Sequence, residues 1–363
     1  MIYLDNGATS FHKPPQVRRA VVQAMLSCAN PGRGGYPAAM AAAENIYRCR
    51  EVAGAMFGCQ PEQVVLTNNC THGLNLAIRT LVRPGSRVVI SGFEHNAVTR
   101  PLHALGAKVT VAGRRLFNPA DTLEEFEKAL RAGAEVAVCT HVSNVFGYIL
   151  PVEEIGWLCK RYGVALIVDA AQSAGALDVN LERMGASFIA MPGHKGLLGP
   201  QGTGLLLCAG EAEPLLFGGT GSHSLEQTMP AELPDRLEAG TVNVPGFAGL
   251  TAGMEYLRRV GIQKIAQREK QQASRAARAM AELGLRVFAG AHQLGTVSFV
   301  PEEDCEEQAQ LLASRGIAVR AGLHCAPLAH ESAGTLDTGT VRVSFGHDAA
   351  PWQTDRLIEA LKV

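Results

Sequence analysis

An aspartate and a lysine each follow an apolar segment of strand length. Residues 164–168 form an apolar run that ends at Asp169, with Gln172 just beyond, and residues 188–191 form a second run that leads to Lys195. Runs without alternating polar positions are typical of buried parallel strands. The carboxyl ends of such strands form the ligand-binding edge of an open α/β sheet. We therefore expect Asp169, Gln172 and Lys195 to converge on one site.

The pairing of Asp169 with Lys195 suggests a particular chemistry. A lysine amine forms a Schiff base with an aldehyde, and a carboxylate keeps a pyridine nitrogen protonated, so the pair predicts a site for pyridoxal 5'-phosphate (PLP). The alternatives are that Asp169 only caps a following helix and that Lys195 is a solvated loop residue. The glycine-rich segment 193–204 has no G-x-x-x-x-G-K-[ST] match, which argues against a Walker-type nucleotide site.

Other polar residues also follow predicted strands. Residues 68–73 join a short strand to a helix, and a polar turn before a helix offers N–H donors to a phosphate, although an ordinary N-cap by Thr71 is the alternative. His95 and Asn144 lie at two further strand ends, where a single histidine is more often structural. Arg342 lies in an otherwise apolar strand, so we expect it to meet a carboxylate of the protein or of a substrate.

The elements that position these residues alternate between strand and helix. We predict strands at 63–67, 87–90, 108–111, 136–140, 165–168, 188–191 and 204–207, and helices near 17–26, 38–57, 74–81, 97–105, 122–131 and 153–162. This alternation predicts an α/β fold, with a mainly parallel sheet of seven strands between two layers of helices. Residues 3–10 contain too few apolar positions for a core strand, so we expect them to form an arm that lies on another surface.

After residue 247 the pattern changes to that of a smaller α+β domain. Its predicted helices are 248–259, 262–284, 305–315 and 351–361, and its predicted strands are 286–288, 296–300, 317–320 and 340–345. We therefore assign residues 14–247 to a large domain, and residues 1–13 together with 248–363 to a small one.

The composition favours small-molecule chemistry in a reducing compartment. The 363 residues include 33 Lys and Arg against 34 Asp and Glu, so nothing in the charge points to nucleic acid or an acidic membrane. The nine cysteines are scattered without a C-x-x-C pair, which argues against a disulfide framework and a metal site and is typical of the cytoplasm. The sequence shows neither a signal-peptide pattern nor a membrane-length apolar stretch, so we expect no membrane association.

Nine short motifs follow one another in a specific order: 4–9 (LDNGAT), 68–71 (NNCT), 94–96 (EHN), 143–147 (SNVFG), 169–172 (DAAQ), 193–195 (GHK), 238–241 (EAGT), 320–325 (R-x-G-x-x-C) and 342–344 (R-x-S). In this order they resemble the class V aminotransferase-fold family of PLP enzymes, and within it the cysteine desulfurases and selenocysteine lyases. The resemblance extends over nearly the whole chain. It implies the PLP-dependent transferase fold of type I, with a large PLP-binding domain and a smaller C-terminal domain.

The resemblance implies how the ring of PLP would be held. Lys195 would form the Schiff base, Asp169 would pair with the pyridine nitrogen, and Gln172 would hydrogen-bond the ring hydroxyl. His95 would stack on the ring as a cofactor-binding and catalytic residue. Asn144 would contact the cofactor or the substrate near the ring hydroxyl.

The resemblance also implies how the phosphate would be bound. Thr71 and His194 would bind it within one subunit, and Thr241 would reach the phosphate of the neighbouring subunit, which implies a homodimer. Two residues depart from the family pattern. Desulfurases usually have serine where Pro192 stands, and glutamate is common where His72 follows Thr71.

The activity that the resemblance implies is cysteine desulfuration, in which L-cysteine becomes L-alanine. Lys195 would remove the Cα proton, Cys325 would accept the sulfur as a persulfide, and Arg342 with Arg320 would bind the substrate carboxylate. Arg320 and His324 could lower the pKa of the Cys325 thiol, whereas the structural alternative is a buried cysteine. A sulfur-acceptor protein is a possible further partner. The alternatives are a selenocysteine lyase, a cysteine sulfinate desulfinase, an aminotransferase or a non-catalytic sulfur-carrier scaffold.

Overall fold

A computed structural model describes residues 1–32 and 34–362 of the chain. In chain order its strands are β1 (Ile2–Tyr3), β2 (Val64–Thr67), β3 (Arg87–Ser91), β4 (Lys108–Ala112), β5 (Val136–Thr140), β6 (Ala165–Asp169), β7 (Phe188–Pro192), β8 (Gly204–Cys208), β9 (Arg286–Phe288), β10 (Thr296–Val300), β11 (Ile317–Ala318), β12 (Arg320–Gly322) and β13 (Thr340–Ser344). Its helices are α1 (Pro15–Ser27), α2 (Pro37–Phe57), α3 (Cys70–Leu81), α4 (Asn96–Ala104), α5 (Pro119–Arg131), α6 (Val152–Tyr162), α7 (Val244–Val260), α8 (Ile262–Glu282), α9 (Cys305–Ser314), α10 (Pro327–Ala333) and α11 (Pro351–Leu361).

The central sheet contains seven strands in the order β2-β8-β7-β6-β5-β3-β4. Strand β8 runs antiparallel to β2 and β7, whereas the pairs from β7 to β4 are parallel. The prediction of a mainly parallel seven-stranded sheet is therefore confirmed. The parallel pairs place the carboxyl ends of β3, β5, β6 and β7 along one edge of the sheet.

The sheet separates two apolar cores, which explains the unbroken apolar runs in its strands. In β6, Leu166 and Val168 pack into the core that α2, α5, α6 and α7 cover, whereas Ile167 packs into the core beneath α3 and α4. All three side chains are fully buried. Because alternate side chains of one strand enter both cores, each position must be apolar.

A second sheet, of four antiparallel strands, forms the smaller unit in the order β12-β13-β10-β9. Its core is closed by α8, α9 and α11. The predicted strand 317–320 is two strands in the structure, since β11 pairs with β1 and β12 pairs with β13. Helix α7 runs across residue 247, and the division into domains stays a prediction.

The N-terminal arm joins the smaller unit, as expected, and its Leu4 is fully buried in the core of that unit. Ile2 and Tyr3 pair in parallel with Ile317 and Ala318. Beyond this strand, the backbone N–H of Asn6 donates to the carbonyl of Ser344 over 3.3 Å, which leads the arm towards the edge of the large sheet.

Several helix boundaries differ from the predicted ones. Helix α3 begins at Cys70 rather than at 74, because the side chain of Asn69, not that of Thr71, accepts the hydrogen bond of the His72 N–H over 2.9 Å. Helix α7 begins at Val244 rather than at 248, because Asn243 caps it. Helix α10 was not predicted. Among the described residues, no helix is long and apolar enough to cross a membrane.

Candidate active site

An open cleft of about 850 Å³ lies where β6 and β7 end. The predicted site residues that line it are Thr71, His95, Asn144, Asp169, Gln172, His194, Lys195, Arg320, Cys325 and Arg342. Thr241 does not line this cleft and is exposed. The structure thus brings ten of the eleven predicted positions together.

Asp169 and Lys195 both line the cleft, close enough for the charge of Asp169 to act on the Lys195 amine. Oδ1 of Asp169 accepts hydrogen bonds from the Ala171 N–H over 2.9 Å and from the Cys70 thiol over 3.4 Å. Residues 171–173 form a turn, so Asp169 does not cap a helix. Burial lowers the pKa of the Lys195 amine, and the negative charge of Asp169 opposes this shift. Lys195 is partly buried and is not a solvated loop residue.

His95 is fixed by the start of helix α4. Its Nδ1 accepts a hydrogen bond from the Ala97 N–H over 3.0 Å, so the ring N–H of the neutral imidazole lies on Nε2. Burial lowers the pKa of His95, which keeps the ring uncharged at neutral pH. A neutral planar ring is suited to stacking on another aromatic ring.

Glu94, directly before His95, is a buried carboxyl group that sequence reasoning assigned no role. Its Oε1 accepts hydrogen bonds from the Ser91 hydroxyl and from the Thr140 N–H, the latter over 2.8 Å. These bonds tie the end of β3 to the end of β5. Burial raises the pKa of Glu94 to about 8, so the group is mostly protonated at neutral pH. Glu94 therefore adds little negative charge beside Asp169 at this edge of the sheet.

Gln172 and Asn144 connect the cleft to two other segments. The side-chain amide of Gln172 donates to the carbonyl of Gly7 in the N-terminal arm over 2.9 Å. The side-chain amide of Asn144 donates to the carbonyl of His324 over 2.8 Å. Its Oδ1 is buried and has no hydrogen-bond partner among the described residues. An unpaired buried acceptor at this point is suited to a donor on a bound molecule.

The end of the cleft at helix α3 is suited to an anion. The N-terminus of this 12-residue helix carries partial positive charge, and the exposed Thr71 lies in its first turn. His194 faces the same cleft, and its Nδ1 lies 3.1 Å from the Thr9 hydroxyl. Burial lowers the pKa of His194 to about 4, so it acts as a neutral hydrogen-bonding group. His72 points elsewhere, since its Nδ1 accepts from the Asn68 N–H over 3.3 Å.

Arg342 meets a carboxylate of the protein itself, Asp5 of the N-terminal arm. One terminal nitrogen of the guanidinium donates to Oδ1 of Asp5 over 2.6 Å, and the other donates to the carbonyl of Asn144 over 3.0 Å. Oδ2 of Asp5 lies 3.6 Å from Nε of Arg320. The Arg342 side chain is 2 % exposed, and its Nε has no hydrogen-bond partner among the described residues. Sequence reasoning expected a carboxylate here but did not identify Asp5.

Cys325 lies exposed at the mouth of the cleft, so the alternative of a buried structural cysteine is wrong. It and His324 both adopt positive φ angles, of 56° and 53°, which are strained for residues other than glycine. His324 is held by His330, whose Nε2 lies 3.4 Å from its Nδ1. The carbonyl of Cys325 accepts from the Asn96 N–H over 2.8 Å. The surrounding structure therefore fixes the backbone that carries this thiol.

The loop before Thr241 is anchored by a buried ion pair. Both carboxylate oxygens of Glu238 accept from the guanidinium of Arg50 in helix α2, over 2.8 and 2.6 Å. Oε1 of Glu238 also accepts from the Leu66 N–H of β2 over 2.6 Å. This pair holds the segment that carries Thr241 on the outer surface of the chain.

The donor set of the cleft fits PLP. An anion-binding helix end, a carboxylate, a partly buried lysine amine and the unpaired acceptor of Asn144 correspond to its phosphate, its pyridine nitrogen, its aldehyde and a hydroxyl. Sequence reasoning missed Asp5, Cys70 and Glu94. The unexplained arginine in β13 was the signal for Asp5, and no comparable signal pointed to Cys70.

The chain is similar to proteins of known family over nearly its full length. The family model described as aminotransferase class-V matches residues 2–357. A probable cysteine desulfurase of Methanothermobacter thermautotrophicus is 32% identical, with 99% of this chain and 94% of that protein covered. One of Pyrococcus abyssi is 33% identical, with 95% and 89% covered. The apo structure of a cysteine desulfurase from Thermococcus onnurineus NA1 is 33% identical with a TM-score of 0.93, covering 99% of this chain and 94% of that one. The chain therefore belongs to the class-V aminotransferase family.

Proposed function

We propose that this protein is a PLP-dependent cysteine desulfurase, which converts L-cysteine to L-alanine and takes up the sulfur on Cys325. The observation that carries the proposal is that a lysine amine, a carboxylate and an exposed thiol line one cleft. The named relatives support the same activity. Cys325 favours desulfuration over transamination, because transamination needs no thiol.

PLP would be held along the length of the cleft. Lys195 would bind its aldehyde, Asp169 its pyridine nitrogen and Gln172 its hydroxyl, with His95 stacked on the ring. Thr71 and His194 would bind the phosphate at the N-terminus of α3. When bound, PLP supplies an electron sink for the carbon that loses a proton.

The chain's own groups would handle the proton and the sulfur. Burial lowers the pKa of Lys195, which favours the neutral amine that can accept the Cα proton. The thiolate of Cys325 would attack the substrate sulfur, and the C–S bond would break as the S–S bond forms. The carbon fragment keeps the electron pair of the broken bond, takes up one proton at Cβ and regains one at Cα, and leaves as alanine. Arg342 and Arg320 would bind the substrate carboxylate.

We further propose that the protein is a homodimer in the cytoplasm and passes its sulfur to an acceptor protein. Thr241 is exposed on this chain, as a residue that completes a partner's phosphate site would be. The nine cysteines are free thiols, which is typical of a reducing compartment.

Light scattering should give twice the mass of one chain. A fully active monomer would remove this role from Thr241.

The decisive experiment replaces Cys325 with serine. The variant should keep its yellow bound PLP, because the thiol takes no part in holding the cofactor, while alanine and sulfide release from L-cysteine should fall at least about hundredfold. Wild type treated with one equivalent of L-cysteine without reductant should gain one sulfur atom on Cys325, detected by mass spectrometry. Cys59→Ser, at a partly exposed thiol that does not line the cleft, is the control and should behave as wild type.

The result that would contradict the proposal is desulfuration by Cys325→Ser at the wild-type rate. The thiol would then be structural. A sulfinate-cleaving enzyme or an aminotransferase would become the better assignment.

A further inference from the structure

Asp5 is shared by the two arginines of the cleft, although it lies more than 300 residues from either of them in the sequence. Its Oδ1 lies 2.6 Å from a terminal nitrogen of Arg342, and its Oδ2 lies 3.6 Å from Nε of Arg320. The carboxylate itself is 14 % exposed, so water screens it only in part. One negative charge thus faces two positive ones.

The charge balance at this end of the cleft is consequently +1 rather than +2. Burial lowers the pKa of the neighbouring His324, to about 2, so its ring adds no positive charge at neutral pH. A net charge of +1 matches a ligand with a single carboxylate. Without Asp5, the same pocket would match a ligand with two negative groups.

The two arginines differ in position and in exposure. Arg342 is 2 % exposed and needs a permanent partner, because a buried guanidinium without one is costly. Arg320 is 52 % exposed and lies in β12, five residues before Cys325. Its positive charge is therefore on the segment that leads to the thiol, the side on which the reacting side chain of a substrate must lie.

We propose that Asp5 determines substrate specificity by neutralising the attraction of Arg320 for a negatively charged substrate side chain. It thereby favours amino acids with a neutral side chain, such as cysteine, over those with an acidic one, such as cysteine sulfinate. This inference rests on the proposed function, since it assumes that a substrate carboxylate binds in this cleft. Asp5 acts through the arginines and is a positioning residue.

The test compares two substrates in the PLP-loaded enzyme. In Asp5→Asn, the ratio of kcat/KM for L-cysteine sulfinate to that for L-cysteine should rise at least about tenfold, because the charge of Arg320 is no longer offset. Asp348→Asn is the matched control, because it removes one negative charge from an exposed pair with His12. It should leave the ratio unchanged.

A binding measurement gives a readout that does not depend on turnover. Calorimetry should show that wild type prefers 3-mercaptopropionate, which has one carboxylate, to succinate, which has two, and that Asp5→Asn shifts this preference towards succinate. Arg320→Gln provides a second variant in case Asp5→Asn fails to fold. It should weaken succinate binding more than 3-mercaptopropionate binding.

Two results would overturn the proposal. If folded Asp5→Asn binds both substrates more tightly by the same factor, Asp5 is a competitor of the substrate carboxylate and not a specificity determinant. If neither variant changes the preference between the two ligands, the charge of Arg320 plays no part in selection. A shifted ligand preference in a protein that releases no alanine would support the role of Asp5 while refuting the desulfurase assignment.

Discussion

At the scale of single residues, Asp169 has both a structural role and a chemical role. Its Oδ1 closes the turn after β6 by accepting from the Ala171 N–H, as a neutral asparagine oxygen would also do. Only a charged group, however, stabilises a proton on a pyridine nitrogen beside it. One substitution can therefore separate the structural role from the chemical role.

Asp169→Asn should fold and bind PLP but remove the Cα proton of an amino acid at least about a hundredfold more slowly. The measurement is exchange of the Cα hydrogen of L-alanine for deuterium, followed by NMR, which does not depend on sulfur chemistry. Glu94→Gln is the control at the same sheet edge, because burial raises the pKa of Glu94 to about 8 and the group is already neutral. Near-normal exchange in Asp169→Asn would show that the aspartate only closes the turn.

The sequence allowed Asp169 and Lys195 to be predicted because each follows an apolar run that is typical of a buried strand. Asp5 could not be placed in this way, since its partner Arg342 is 337 positions away and short-range patterns carry no information on that distance. The backbone conformation of Cys325 could not be predicted from the sequence either. Its positive φ is imposed by the packing of His324 and by the bond from Asn96, not by a local propensity.

At the scale of secondary structure elements, helix α2 is fastened to the segment before Thr241 by the pair of Arg50 and Glu238. Their side chains are 10 and 7 % exposed, and Glu238 also bonds to β2. An ion pair so deeply buried leaves an uncompensated charge when one partner is removed. The pair thus joins a helix, a strand and a loop at one point.

Arg50→Met should lower the free energy of unfolding by about 3–5 kcal/mol, because Glu238 would remain buried without its partner. Arg48→Met on the same helix is the matched control. Arg48 pairs with Glu255 over 2.9 Å, but their side chains are 56 and 45 % exposed, so its loss should cost less than about 1 kcal/mol. Urea unfolding measures both. An equal decrease in the free energy of unfolding in the two variants would show that the buried pair stabilises the fold no more than the exposed pair does.

Element types were more predictable than element ends. The apolar periodicity of the sequence located the strands of the central sheet, whereas caps moved the starts of α3 and α7. The split of residues 317–322 into β11 and β12 has another cause. Ile317 and Ala318 pair with the N-terminal arm, whereas Arg320–Gly322 pair with β13. Because these partners are distant in the sequence, the local residue pattern could not predict the split.

At the scale of the whole molecule, the balance of buried ionisable groups sets how stability depends on pH. Glu94 in the large unit and Glu269 in helix α8 are buried, and burial raises the pKa of each to about 8. Between pH 4.5 and 8 the folded chain keeps protons that the unfolded chain loses. These two groups therefore reduce stability as the pH rises through this range.

The double variant Glu94→Gln, Glu269→Gln should gain stability relative to wild type as the pH rises from 5 to 8, because glutamine does not ionise in either state. Urea unfolding at the two pH values measures the difference. Glu282→Gln, at the exposed end of the same helix α8, should show no such trend. A difference that stays constant with pH would mean that both carboxyl groups are already charged in the folded protein.

The pairing of the N-terminal arm with β11 and β13 also has a consequence for the order of events during synthesis. Residues 2–6 leave the ribosome more than 300 residues ahead of their partners, which are residues 317–318 and 344. A growing chain therefore carries Asp5, Asp169 and Lys195 long before it carries Arg320, Cys325 or Arg342. Its large sheet can form while translation continues, but the carboxylate site closes only when the first strand finds a neighbour made more than 300 residues later.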